Sequence, residues 1–70
     1  MTPEEFNLRE AELLVRLPEE LRSAVSYMAY ERGHAYGHEE VLGHVADMVS
    51  QLEQPVQELI ARVQREAIHT

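Results

Sequence analysis

From Leu42 to Val63 an apolar residue recurs every three or four positions: Leu42, Val45, Val49, Leu52, Val56, Leu59 and Val63. Alternating steps of three and four are the signature of a helix with a narrow apolar seam, here widened by Val41, Ala46, Met48, Ile60 and Ala67. Glu40, His44, Asp47, Gln51, Gln54, Glu58 and Arg65 fall on the other side of the wheel and read as its solvated face. Such a helix has to bury its stripe against something, and a 70-residue chain has little to offer. A domain of this size buries only roughly 60–65% of the surface that its unfolded form exposes. Chains this small usually need a staple or a second copy. With no cysteine, disulfides and Cys-based zinc sites are excluded as staples.

Helix starts punctuate the rest. Thr2-Pro3-Glu4-Glu5 combines an N-cap, a proline at the first helical position and a carboxylate at the third. Leu17-Pro18-Glu19-Glu20 repeats the element, so a first helix over about 3–16 should break there and a second should run from 18 to about 33. In both, the carboxylates sit at the positive end of the helix dipole. Gln54-Pro55-Val56-Gln57-Glu58 is a weaker version; because the apolar pattern runs straight through it, Pro55 is expected to kink a continuing helix. Gly33 and Gly37 read as a helix end and a short connection, with an unbroken helix carrying a Gly-xxx-Gly surface as the alternative. The third helix then spans about 38–67. No sustained alternation marks a strand.

The expected fold is therefore all-α, one helical domain over residues 1–70: a short N-terminal helix plus an antiparallel hairpin with a long, Pro-kinked second arm. Helix two supplies Leu17, Leu21, Val25 and Met28, with Ala24 and Ala29 beside them; helix one supplies Phe6, Leu13, Leu14 and Leu17. At ~1.5 Å per residue the long arm is ~45 Å and helix two only ~24 Å. The leftover stripe of Leu52, Val56, Leu59, Ile60 and Val63 is expected to pair with another copy of the chain.

Charge narrows the partners. Thirteen carboxylates against six arginines and no lysine give a net charge of −7 and a pI near 4.9, the reverse of a nucleic-acid footprint. An acidic DNA mimic is conceivable, but the charge is mild for that role. There is no polybasic anchor and no apolar run near the ~18 residues of a membrane span. Met-Thr-Pro-Glu-Glu lacks the basic and apolar regions of a signal peptide, which leads to the expectation of a bacterial cytoplasm.

Two residue clusters bear on function. His34, His38 and His44 lie among Glu31, Glu39, Glu40 and Asp47, and Glu31-x-x-His34 has the spacing of a di-iron carboxylate–His pair. Only one such pair is present, and His44 and Asp47 fall opposite the seam, so no metal and no cofactor are expected. The second cluster is aromatic. Ser23, Tyr27, Tyr30 and His34 share a face of helix two, and all three tyrosines lie between 27 and 38 together with two of the four His and two of the three Gly. Packing beneath helix one would account for the tyrosines. The functional alternative is a binding surface of Tyr27, Tyr30, Arg32, His34, Tyr36 and His38, since Tyr and Arg supply the anchors that dominate interface energetics.

Two resemblances follow from these residues. Glu39-Glu40 followed by Asp47 resembles the Glu-Glu…Asp pattern of all-α nucleotide pyrophosphohydrolases of the MazG type, which hold Mg²⁺ with carboxylates from two helices. The family's paired Glu-x-x-Glu and Glu-x-x-Asp motifs and its basic phosphate-binding set are missing here. The stretch from Leu17 to about Val63, with Arg32-Gly-His-Ala-Tyr-Gly-His-Glu-Glu-Val41 at its centre, resembles small uncharacterised helical proteins of bacteriophages and prophages. That resemblance implies a small accessory protein that binds a host component or sequesters a ligand. The combined expectation is a non-enzymatic, self-associating, acidic interaction protein whose partner is a host protein, with no direct contact to nucleic acid or membrane. An oligomeric nucleotide-type sponge and a metal-dependent pyrophosphohydrolase-like enzyme are the alternatives.

Overall fold

The computed structural model describes residues 1–69, and side chains through residue 67. Three helices form, with no strand among the described residues: α1 (Pro3–Leu14), α2 (Glu19–Gly33) and α3 (His38–His69). A short 3₁₀ turn, His34–Tyr36, joins the last two. The Thr2 hydroxyl caps α1 by accepting from the Glu5 amide at 3.1 Å. α1 stops two residues short of the expected end. The Arg16 and Leu17 amides there reach back three residues, to the carbonyls of Leu13 and Leu14, which tightens the chain into a turn ahead of Pro18. Pro18 stands just outside α2, with ψ near 148°, as the residue before the first helical turn. The turn is locked by the Arg22 guanidinium, whose Nε donates to the Leu17 carbonyl at 2.9 Å.

The Gly33–Gly37 segment is a break. Gly33 ends α2, and Gly37 turns the chain with φ of 107° and ψ of 177°, backbone that side-chain-bearing residues rarely adopt. The unbroken-helix alternative is thereby overturned, and His34 and His38 do not share a helical face. Gly33 is also a point of close approach: a Cβ there would stand 2.9 Å from the Val41 amide nitrogen and 3.0 Å from two further backbone atoms. α3 passes through Pro55 without ending, so no new helix starts there.

The core is small. Leu14, Leu17, Val25, Ala29, Val41, Val45, Met48 and Val49 are buried, with Phe6, Leu13 and Leu21 packed at the margin. Two details differ from the expected pattern. On α2 the inward residue is Ala29, fully buried, while Met28 is 45% exposed. On α3 the buried line tilts toward Val41 and Met48, leaving Leu42 half-buried. Both shifts have one cause: Ala29 and Gly33, four residues apart and small, let α2 approach α3 closely at Val41, which rolls the first turns of α3 toward them.

Paired contacts define how the helices lie. Phe6, near the start of α1, packs against the His38 ring at the start of α3, the centroids 4.6 Å apart and the planes tilted by 31°. Arg16, just past the end of α1, pairs with the Glu53 carboxylate through both Nε and Nη2. α1 therefore runs alongside the first half of α3, in the same direction. α2 leads from the Arg16–Glu53 level back to the Gly33–Val41 contact. The buried line of α3 ends at Val49, and Val56 is the last half-buried residue of its stripe. Leu52 is 36% exposed, Leu59 58%, Ile60 44% and Val63 56%. The radius of gyration, 14.6 Å, exceeds the ~11 Å of a compact 70-residue domain. The longest dimension, 49 Å, equals the ~48 Å length of a 32-residue helix.

The three glycines give a direct test by urea unfolding of single alanine variants. Gly33→Ala, which drives a methyl into the Val41 backbone, is expected to lower stability by ~1–3 kcal/mol. Gly37→Ala is expected to cost a similar ~1–3 kcal/mol through its dihedrals. Gly43→Ala, in mid-helix with open space around it, is expected to add ~0.5–1 kcal/mol. Equal effects at all three would contradict the packing described.

Candidate functional site

The tyrosines do not pack beneath α1. Tyr27 is 67% exposed, Tyr30 54% and Tyr36 80%. The bland explanation for them, core packing, is thus corrected: the core at this level is filled by Val25 and Ala29, and the Tyr row sits on the neighbouring strip of α2. Three and seven residues on from Tyr27, Tyr30 and His34 continue that strip. The rings of Tyr30 and His34 stack at 4.9 Å, 17° from parallel, and His34 Nδ1 lies 2.9 Å from the Tyr30 carbonyl. The imidazole is held by both contacts against the helix end.

Between α1 and α2 lies an open groove of about 530 Å³. Phe6, Glu10 and Leu14, spaced by four on α1, form one wall; Arg22, Ser23, Ser26, Tyr27 and Tyr30 form the other. It exists because α1 leans on α3 more than on α2, so the two shorter helices diverge over Phe6. The floor is apolar, the rims are tyrosine, and one carboxylate and one guanidinium sit at the edges. Ser23 and Ser26 add two hydroxyls to the α2 wall.

The six residues singled out from the sequence divide over this end of the molecule. Tyr27 and Tyr30 line the groove, and His34 backs it through its stack on Tyr30. Tyr36 and His38 line a separate, smaller depression of about 270 Å³ with Met1, Gly37 and Glu39. His38 connects the two, because its other neighbour is Phe6 of the groove. Arg32 is exposed and lines neither cavity. Sequence reasoning missed Phe6, Glu10, Leu14, Arg22 and Ser26. The four-residue spacing of the first three on α1 was visible, but which side of α1 meets α2 is set by the Arg16–Glu53 and Phe6–His38 contacts, between residues 37 and 32 positions apart.

The histidine–carboxylate cluster does not assemble. His44 Nε2 lies 3.4 Å from a Glu40 oxygen one turn away on the same helix, and Asp47 accepts from Gln51 at 3.1 Å. Among the described residues no group of three or more His, Asp or Glu is placed to hold a metal ion. No helix among them is long and apolar enough to cross a membrane. Comparison of the chain with protein-family models, with curated proteins and with solved structures returns no match, so the functional reading rests on geometry.

Because the tyrosines carry little of the core, Tyr27→Ala and Tyr30→Ala are each expected to change unfolding stability by less than ~1 kcal/mol. Val45→Ala, at a fully buried position, is expected to cost ~2 kcal/mol. Chemical denaturation followed by circular dichroism distinguishes them; a large loss at Tyr30 would make the row structural.

Proposed function

We propose that this chain is a small, non-enzymatic, acidic interaction protein that self-associates through the far half of α3 and meets a protein partner at the Tyr27–His38 end. In this reading α2 and α3 act as the two arms of an antiparallel helical hairpin, and α1 braces it. The phage-type resemblance supplies the setting, an accessory protein acting on a host protein in a bacterial cytoplasm. One observation carries the proposal: beyond Val49, the last buried residue of the stripe, Leu52, Leu59, Ile60 and Val63 stand exposed and Val56 is half-buried. An isolated helix of about 15 residues is marginal in water, and an interior proline costs ~3 kcal/mol more. That segment needs a covering surface in order to persist.

The Tyr groove supports the second half of the reading. Exposed Tyr rims over an apolar floor, with a charged group of each sign at the edges, suit a protein side chain better than a diphosphate. The groove offers a nucleotide-type ligand a single guanidinium, Arg22, offset by the Glu10 carboxylate, and so no concentrated positive charge.

Light scattering at high micromolar concentration is expected to return an oligomer, and Leu59→Asp to return the 8.1 kDa monomer. A monomeric parent chain would overturn self-association. Tyr30→Ala with His34→Ala is expected to leave oligomer size and helicity unchanged while losing the host protein that the parent chain retains from bacterial lysate. Retention of the same protein by that double variant would overturn the assignment of the site.

A further inference from the structure

We infer that two copies of this chain pair head-to-tail, with residues 52–67 of each α3 lying antiparallel on those of the other about a two-fold axis between Leu59 and Ile60. The inference rests on the self-association proposed above and adds its geometry. The exposed stripe lies on the same face of α3 that α1 and α2 cover further back, because the spacing Val45–Val49–Leu52–Val56–Leu59–Val63 never changes phase. Over residues 41–49 that face is covered by the chain's own helices.

A parallel pairing would therefore place both sets of α1 and α2 between the same two α3 helices. Two packed helices sit ~8–10 Å apart, so the tails would demand that separation while the intervening layers forced the first halves to roughly twice it. Reversing one copy removes the conflict. Each uncovered segment is ~24 Å long and is matched in length by the segment that covers it. The second copy's α3 then continues, end to end, the layer that α1 and α2 begin. Val56 faces Val63 of the second copy, and Leu59 faces its Ile60. The interface is self-complementary, as a two-fold axis requires.

Charge favours the same arrangement. Residues 1–51 hold ten carboxylates and four arginines, a net −6, whereas the tail is nearly neutral. Parallel pairing sets two −6 ends side by side. The antiparallel form holds them ~25 Å or more apart, well beyond the ~8 Å screening length at physiological salt.

The chain's lack of cysteine makes disulfide trapping clean. Val56→Cys and Val63→Cys full-length chains, one of them tagged, are mixed, allowed to exchange and mildly oxidised, with light scattering on the reduced samples. The expected result is a tagged–untagged crosslink several-fold stronger in the mixture than any crosslink in either variant alone. Like positions in the antiparallel form are offset by ~10 Å along the axis, too far for a disulfide. Self-crosslinking of each variant with no gain in the mixture would overturn the antiparallel pairing and leave self-association standing. A dimer that crosslinks in neither way would place the contact on another face. A monomer in the parent chain would remove the self-association on which the inference rests. If a cysteine in the stripe weakens the dimer, a spin label at Glu39→Cys reads the geometry without touching it. The label-to-label distance is expected near 60 Å, and a value below about 40 Å would overturn the pairing.

Discussion

An apolar stripe about twice as long as the surface available to cover it governs this molecule. α3 presents one unbroken face from Val41 to Val63, and the short helices bury it only as far as Val49. The two short helices end where they do for local reasons: Pro18 stops one, and the Gly33–Gly37 turn stops the other. Nothing comparable stops α3, because Pro55 removes one hydrogen bond without changing the phase of the stripe. The elongated shape and the small core follow from that mismatch, which the self-association proposed above would answer.

Local signals account for how much of the fold was legible in the sequence. The Thr2 cap, the Pro18 boundary and the Gly37 turn are each set within four residues, and all were readable. The Val45–Val49 seam was readable as well, since its period is a property of the helix itself. What was not legible depends on which helix approaches closest. Met28 was expected inward and Ala29 beside it; the reverse holds, because the close contact at Gly33 and Val41 selects the smaller residue. A hydropathy pattern ranks Met above Ala and carries no information about inter-helix distance.

The candidate site shows the same division. Its Tyr27–Tyr30–His34 strip could be found from spacing on one helix, whereas the opposing wall of Phe6, Glu10 and Leu14 could not, because long-range contacts set the rotation of α1. Of the six residues picked out together, Tyr27 and Tyr30 line a groove, Tyr36 and His38 line a smaller depression linked to it by the Phe6–His38 contact, and Arg32 lines neither. In the head-to-tail pairing proposed for α3, those ends stand at the two extremes of the assembly, leaving both grooves open. The covering of the stripe and the presentation of the tyrosines are then separate tasks carried by opposite halves of one chain.

In the proposed assembly the far half of α3 owes its order to a surface the single chain does not possess. Amide hydrogen exchange measured across a dilution series tests it most directly, since a helix stabilised by association loses protection as the chain is diluted. Protection of amides from about residue 56 to 67 is expected to fall with dilution, while that of Val41–Val49 falls far less. Protection of the far half that is strong and independent of concentration would contradict it.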